Sequence, residues 1–357
     1  MSDYGFPIID FPSNMGPLQR GHKHGEEFKT AIQEIYEIRK ELLLKRNPSL
    51  KDLLKPLAKE QYELSLSAFE GASLELKGIS ESSGLALEDI VLINNYTDFR
   101  DILLGDEGCS TAYIKNENHS IAGQTWDMHS SAKNYMCLLQ TEHELSLSII
   151  GCIGMAGINR HGLFIGVNNL NTMAKKSGII WPVLVRAVLE QSSFTEFEKT
   201  LTAHPVTSGH NYLLADVNQA KMIELLPHTQ ITTSEVFDEG HCLHTNHCLS
   251  PETKSFETQE HISKTTHVRL DLLEKHIKNI SNSSDLTQLL QGHENEPLSL
   301  CSHYASSGAK DPSQTCGGLV SDLSGGHNYF WRGCKKYDDN FKEYAFTLKE
   351  GKFLREK

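Results

Sequence analysis

The chain has 357 residues, a formal net charge of −12, and 38% hydrophobic and 22% charged residues, which is typical of a globular protein with ample core. The negative charge, without a dense lysine and arginine stripe, argues against nucleic-acid binding. The sequence contains no run of about eighteen apolar residues, so no membrane span is predicted. The eight cysteines lack the spacing of a disulfide framework, so we expect reduced thiols and a cytoplasmic protein.

The first hundred residues are predicted to be mostly helical. Apolar residues recur every three or four positions over 26–46 and again over 50–76, which is the period of an amphipathic helix. A glycine-punctuated segment, 19–25, precedes the first helix, and its two histidines are expected to be solvated instead of binding a metal. We therefore predict a helical N-terminal segment, residues 1–108, that covers the rest of the chain.

A cysteine follows this segment at the start of a predicted β-hairpin. Gly108 immediately precedes Cys109, whose thiol is the most nucleophilic side chain available near neutral pH. Residues 110–126 predict two strands joined by a polar turn. The hairpin would carry Asp127 back beside Cys109 and so place a carboxylate next to the thiol. Taken alone, a cysteine beside a strand is more often a small buried residue.

Beyond Cys109, strands alternate with pairs of helices. Further strands are predicted over 135–141, 145–153, 162–167, 211–215, 221–226, 230–237, 242–245, 316–323, 327–331 and 344–348, and a turn over 154–159. Helices are predicted over 181–191, 193–203, 265–280 and 284–291. Runs of strands with helices between them predict layered α and antiparallel β structure.

The segment around Cys109 resembles the self-processing site of the isopenicillin N acyltransferase family, a branch of the N-terminal nucleophile (Ntn) amidohydrolases. The matching residues are Asp106, Gly108, Cys109, Ser110, Thr111, Ala112, Tyr113, Gly123, Gln124, Trp126 and Asp127. Segments 20–25 (Arg-Gly-x-x-x-Gly) and 154–159 (Gly-x-x-Gly-x-Asn) match the family as well. The resemblance implies an α+β fold, the four-layer αββα sandwich of Ntn hydrolases, with the cysteine at the start of a central strand.

The resemblance also implies roles for individual residues. Cys109 would be the nucleophile, Asn246 would supply an amide to the oxyanion hole, and Arg269 would be a further catalytic residue. Asp127 would orient the α-ammonium group of Cys109. The expected substrate-binding residues are Gln124, Asn168 and Asn169.

The implied mechanism has two stages. The Cys109 thiol attacks the carbonyl of Gly108, and hydrolysis of the thioester separates an α-chain, 1–108, from a catalytic β-chain, 109–357. The freed α-amine then acts as general base for the thiol, because its reference pKa of about 7.7–8.0 suits neutral pH far better than that of lysine near 10.4. The acyl-enzyme passes its acyl group to water or an amine, and no cofactor is needed.

A competing interpretation comes from residues 241–248, where three histidines and two cysteines occur together. Thiolate and imidazole are the ligands zinc prefers, so a metal-binding or sensor protein is the alternative from another class. On a strand, however, Cys242 and His244 face away from His241 and His247, and no second ligand pair of matching spacing occurs. We therefore expect no metal here.

Two enzymatic outcomes remain open. The acyl-enzyme could hydrolyse a linear, small-molecule N-acyl compound, or it could transfer an acyl group from acyl-CoA to an amine. We favour the hydrolase with possible transfer activity, because nothing in the sequence predicts a site for the phosphates of CoA. The expected partner is thus a small N-acyl molecule and, in the alternative, acyl-CoA. Assembly of processed units into a homo-oligomer is left open.

Overall fold

Two β-sheets form the centre of the molecule in a computed structural model, which describes residues 2–101, 108–172, 177–257, 262–303 and 313–356. The strands are β1 (Ile8–Asp10), β2 (Cys109–Lys115), β3 (Ser120–His129), β4 (Met136–Gln140), β5 (Glu144–Ile149), β6 (Ala156–Asn159), β7 (Phe164–Leu170), β8 (Gly209–Ala215), β9 (Ala220–Leu226), β10 (Thr229–Val236), β11 (Gly240–His244), β12 (Ser313–Asp322), β13 (His327–Arg332), β14 (Lys342–Lys349) and β15 (Lys352–Arg355). The helices are α1 (Pro17–Glu27), α2 (Lys29–Arg46), α3 (Leu54–Ala68), α4 (Glu70–Ser83), α5 (Leu87–Asn94), α6 (Tyr96–Asp101), α7 (Trp181–Leu189), α8 (Phe194–Thr202), α9 (Pro251–Lys254), α10 (Lys264–His276) and α11 (Ser283–Leu290).

Each sheet carries helices on its outer face. Within the described ranges, one sheet has eight strands in the order β1-β4-β5-β6-β7-β8-β9-β10, and the other has seven in the order β11-β2-β3-β12-β13-β14-β15. Helices α7 and α8 pack on strands β6 to β8, α10 and α11 pack on β2, β3, β11 and β12, and β2 and β3 contact β7 across the interface between the sheets. The predicted α+β fold with αββα layers is confirmed.

The central strands are buried on both faces. In β2, Cys109 to Ile114 are all buried, and in β5 every residue is. A sheet packed on one side by a second sheet and on the other by helices leaves no solvated face. This explains why the pattern of β2 is close to continuously apolar or small instead of strictly alternating.

The N-terminal helices make close contacts with one another. A Cβ added to Gly21 of α1 would lie 2.1 Å from the backbone oxygen of Glu75, and one added to Gly78 of α4 would lie 2.2 Å from the oxygen of Leu18. The two glycines therefore allow α1 and α4 to touch backbone to backbone. Arg20 of α1 and Arg186 of α7 both pair with the buried Glu75 carboxylate, at 3.0 and 2.9 Å, which ties these helices to the layer above the eight-stranded sheet.

Several sequence predictions need correction. Residues 154–159 were predicted to be a turn, but strand β6 begins at Ala156, because its short apolar residues complete the sheet between β5 and β7. The first helix begins at Pro17, whose fixed φ suits a helix N-terminus. His24 is fully buried instead of solvated and accepts a 2.9 Å hydrogen bond from the Gly151 N–H. No helix among the described residues is long and apolar enough to cross a membrane.

Candidate functional site

The predicted hairpin is confirmed, and it brings Asp127 to Gly108. Strands β2 and β3 pair antiparallel with Cys109 opposite Trp126. One residue further, the Asp127 N–H donates a 2.7 Å hydrogen bond to the Gly108 carbonyl oxygen. A backbone donor therefore points at the carbonyl that a thiol at Cys109 would attack. Asp106 lies outside the described residues.

Two residues distant in sequence hold the backbone of Cys109. Asn246 follows strand β11, the neighbour of β2, and Arg269 lies on α10, which packs on both strands. The Cys109 N–H donates to Asn246 Oδ1 at 2.7 Å, and Arg269 Nη2 donates to the same oxygen at 2.8 Å. Arg269 Nη1 donates to the Cys109 carbonyl oxygen at 2.6 Å. The structure thus brings these two predicted site residues together at the cysteine.

Arg269 places a positive charge in the interior. Its side chain is fully buried and also donates to the Ser110 hydroxyl at 2.9 Å. Burial lowers the pKa of the Arg269 guanidinium below its ordinary value. The neighbouring Asp127 carboxylate and Cys109 oppose this shift but do not cancel it. A guanidinium in a low-dielectric site stabilises negative charge that develops on nearby atoms.

Gly108 has no room for a side chain. A Cβ at this position would lie 2.4 Å from Arg269 Nη2 and 3.1 Å from Asn246 Oδ1. Any residue other than glycine would therefore displace the two groups that hold Cys109.

The Asp127 carboxylate has a partner that the sequence analysis missed. Thr315 Oγ1 donates to Asp127 Oδ1 at 2.6 Å. Thr315 lies on β12, opposite Asp127 on β3, at the residue where the pairing register shifts. The sequence pattern predicts this strand only from residue 316, and no local signal marks Thr315, because its role depends on cross-strand pairing.

Asn168 is fully buried and uses both ends of its amide within the protein. Its Nδ2 donates to the carbonyl oxygens of Cys109, at 3.1 Å, and His244, at 3.5 Å. Its Oδ1 accepts from Thr111 Oγ1 at 2.7 Å and Asn211 Nδ2 at 2.9 Å. Asn168 therefore fixes the backbone beside Cys109.

The side chain of Asn169 has an acceptor atom that no described residue uses. Its backbone oxygen accepts from Asn246 Nδ2 at 3.0 Å, and its side chain lines the cavity beside Cys109. The Asn169 side-chain oxygen is buried without a hydrogen-bond partner among the described residues. Because buried polar atoms are normally paired, this amide is a candidate contact for a bound molecule.

Gln124 connects the two sheets. Its Nε2 donates to the Val167 oxygen at 2.8 Å, and its Oε1 accepts from the Val167 N–H at 2.7 Å. Gln124 also lines the cavity, but both ends of its amide are occupied by β7, so in this arrangement it shapes the wall.

A narrow, mainly apolar cavity opens at Cys109. The cavity volume is about 30 Å³. Most of the accessible wall area is apolar, and the apolar side chains that line it are those of Trp126, Met128, Leu147, Met155, Ala156, Val167 and Trp181. Polar side chains include those of Arg39, Asn94, Thr97 and His210. Such a lining suits an apolar group with a polar end.

Two of the three histidines of 241–248 are engaged elsewhere. His244 is buried, with Nε2 2.9 Å from Glu224 Oε1 and Nδ1 2.8 Å from the Thr245 oxygen. Both ring nitrogens of His244 are therefore occupied by partners other than the Cys109 thiol. His247 bonds to Thr266, and among the described residues this segment forms no cluster of potential metal ligands.

Comparison with known proteins identifies a family. The family model described as acyl-coenzyme A:6-aminopenicillanic acid acyl-transferase matches residues 114–312, more than half of the chain. The 40 kDa form of the acyl-coenzyme A:6-aminopenicillanic-acid-acyltransferase of Emericella nidulans is 24% identical over 299 residues, which cover 81% of this chain and 83% of the relative.

Solved structures are also similar. A variant of the conjugated bile acid hydrolase from Clostridium perfringens aligns with a TM-score of 0.44 and 13% identity, over 70% of this chain and 97% of that chain. Penicillin V acylase from Agrobacterium tumefaciens aligns with a TM-score of 0.36 and 12% identity, over 68% of this chain and 92% of that chain.

Proposed function

Because the chain belongs to the acyl-coenzyme A:6-aminopenicillanic acid acyltransferase family, and is therefore an enzyme, we propose that it is a self-processing N-terminal-cysteine amidohydrolase and acyltransferase. The observation that carries the proposal is the geometry at Gly108–Cys109. Asn246 Oδ1 accepts from the nitrogen of that peptide bond at 2.7 Å, while the Asp127 N–H donates to its carbonyl oxygen at 2.7 Å.

The first reaction is cleavage of the chain. The Cys109 sulfur bonds to the Gly108 carbonyl carbon, and the Asp127 N–H stabilises the oxyanion that forms there. The C–N bond then breaks, the thiol proton passes to the leaving nitrogen, and a thioester remains. Water hydrolyses this thioester, which restores the Cys109 thiol and leaves Gly108 as a carboxylate.

The second reaction uses the newly freed amine. The α-amine of Cys109 accepts the thiol proton, with Asn246 and Asp127 keeping it in place. The thiolate attacks the substrate carbonyl. The protonated α-amine of Cys109 then gives its proton to the amine of the substrate, which leaves as the C–N bond breaks, and an acyl-Cys109 intermediate remains. Arg269 compensates the developing negative charge. In the uncut chain Asn246 Nδ2 is bonded to the Asn169 oxygen, so donation to a substrate oxyanion would require that bond to exchange.

The cavity suggests the substrate class. Its apolar wall suits the acyl chain of a linear N-acyl compound, and the Asn169 side-chain oxygen, which has no hydrogen-bond partner among the described residues, suits the amide end. Gly108 itself lines this cavity. Departure of the α-chain terminus after cleavage would therefore open space at the nucleophile.

Hydrolysis of an amide is the favoured outcome, and transfer from acyl-CoA to an amine is the alternative that the family name favours. Both proceed through the same acyl-enzyme. A cytoplasmic location, the division into chains 1–108 and 109–357, and assembly into a homo-oligomer stay predictions.

The test combines processing with turnover. The purified chain is examined by intact mass, then incubated with a panel of N-acyl amines, or with acyl-CoA and 6-aminopenicillanic acid, and the products are followed by mass spectrometry. We expect wild type to release free amine or acylated acceptor, and we expect Cys109→Ala to release neither. Turnover by Cys109→Ala would reject the proposal.

A further inference from the structure

Four potential metal ligands meet at a place the sequence did not indicate. They are His293, Cys301, His303 and Cys334, and one ligand atom from each lies within 4.8 Å of all the others. The Nε2 atoms of the two histidines are 3.3 Å apart, Cys301 Sγ is 3.4 Å from His303 Nε2, and Cys334 Sγ is 3.3 Å from His293 Nε2. We call this group the 293–334 cluster.

These separations match the edges of a tetrahedral zinc site. With Zn–N near 2.05 Å and Zn–S near 2.3 Å, two nitrogens around one ion lie about 3.3 Å apart, and a nitrogen and a sulfur lie about 3.6 Å apart. The three separations given above for the 293–334 cluster agree with these values to about 0.3 Å. A set of two thiolates and two imidazoles is also one that zinc prefers over harder cations.

The backbone on both sides of the cluster is well supported. The Cys301 N–H donates to the Gly292 oxygen at 3.0 Å, which closes the loop that follows α11. After β13, the Cys334 N–H donates to Asp338 Oδ2 at 2.8 Å, and the Lys336 N–H points at the Cys334 sulfur at 3.3 Å. Three of the four ligands are buried and His293 is half-buried.

We propose that the 293–334 cluster binds one zinc ion as a structural site. All four positions are filled by protein ligands, which is the arrangement of closed, non-catalytic sites. Two thiolates balance the charge of the ion, so the buried assembly is neutral, and binding releases the two thiol protons. This proposal departs from the sequence-based expectation of no metal.

The proposed site would support the candidate active centre. Between two of the ligands, the Ser302 N–H donates to Thr315 Oγ1 at 2.7 Å, and the Ser302 oxygen accepts from the Thr315 N–H at 2.9 Å. The same Thr315 hydroxyl donates to Asp127 at 2.6 Å. Zinc would thus anchor the segment that positions Thr315 and, through it, Asp127. Metal binding itself does not depend on the proposed reaction.

The test measures metal in the full-length protein. Protein purified without chelators is analysed by inductively coupled plasma mass spectrometry, and we expect one zinc per chain. Cys301→Ala combined with Cys334→Ala should lower zinc affinity by far more than the ~10–100-fold that loss of an outer-shell contact costs. Cys137→Ala, which removes a buried thiol from β4 in the other sheet, is the matched control and should retain zinc.

A second measurement does not rely on the folding of the variants. Wild-type protein stripped by a chelator and titrated with Co²⁺ should develop the visible bands of a tetrahedral site and sulfur-to-metal charge transfer. Wild type that neither carries zinc nor binds Co²⁺ in this geometry overturns the proposal. So does full zinc retention by the double variant, or a Cys301–Cys334 disulfide in metal-free protein purified under reducing conditions.

Discussion

The backbone nitrogen of Cys109 donates its hydrogen bond to the side-chain oxygen of Asn246, at 2.7 Å, across 137 positions of sequence. If the chain is cut before Cys109, this nitrogen becomes an α-amine already held by an acceptor. The same oxygen also accepts from Arg269 at 2.8 Å. One amide oxygen thus links the candidate base to the buried cation.

Self-cleavage is the first expectation. Denaturing mass spectrometry of wild type should show fragments 1–108 and 109–357, and Cys109→Ala should stay intact because it lacks the attacking sulfur. Cys242→Ala, which removes another buried thiol, is the control and should be cut normally. Wild type that remains uncut while hydrolysing amides would show that the N-terminal-nucleophile mechanism is wrong.

Two substitutions at Asn246 separate its donor and acceptor roles. Asn246→Ala in processed enzyme should lower kcat by about 100- to 1,000-fold, the usual effect of losing one oxyanion donor. Asn246→Asp keeps an acceptor for the Cys109 nitrogen and loses the donor. Activity near wild type in Asn246→Asp would assign Asn246 to holding the amine, whereas a loss equal to that of Ala supports the oxyanion role. An effect confined to KM would contradict both.

The identity of the general base can be tested directly. Chains 1–108 and 109–357 are co-expressed, with a removable initiator methionine before Cys109. Activity should appear only when Cys109 is the true N-terminus, because an amide nitrogen cannot accept the thiol proton. Acetylation of the amine should abolish turnover.

If activity persists with the methionine or acetyl group attached, a histidine must be the general base instead of the α-amine. By position in the sequence, His129 and His244 are candidates for that role, but both ring nitrogens of His244 are occupied. His210 lines the cavity, so His210→Gln would be the variant to examine first.

Gly108→Ala should slow self-cleavage without preventing folding. Its Cβ would lie 2.4 Å from Arg269 Nη2, so the guanidinium must retreat by about 1 Å, a misplacement that can cost ~100-fold in rate. Gly71→Ala, where the nearest atom to the new Cβ is 3.7 Å away, is the matched control. Pulse–chase analysis of the uncut chain gives both rates, and equal rates would exclude the steric argument.

Acid should destabilise the fold partly through His24. Burial lowers the pKa of His24 from 6.5 to about 4. Between these values the unfolded chain binds a proton that the native chain does not, so the free energy of unfolding decreases as pH falls through this window. The full effect is ~3 kcal/mol. His24→Gln should flatten the pH dependence of chemical unfolding, whereas an unchanged pH dependence in this variant would exclude His24 as its cause.

Local patterns in the sequence were sufficient to predict most helices and strands, and also the part of the candidate site that lies on the β2–β3 hairpin. The β2–β3 hairpin follows from residues 110–126, and its register alone places Asp127 beside Gly108. Helices α7, α8 and α11 lie within two residues of their predicted ends. Hairpins and helices depend on contacts between near neighbours in sequence, so their patterns are visible there.

Only the tertiary structure decided which distant side chains meet. Arg269 reaches Cys109 because α10 packs on β2 and β11, and Thr315 reaches Asp127 through a register shift in β12. Among the residues that the structure describes, the dense run 241–248 brings no group of potential metal ligands together, whereas the sparse 293–334 cluster gathers four from two loops. Spacing along a chain constrains distances only within one element, and the packing of helices and sheets determines every longer one.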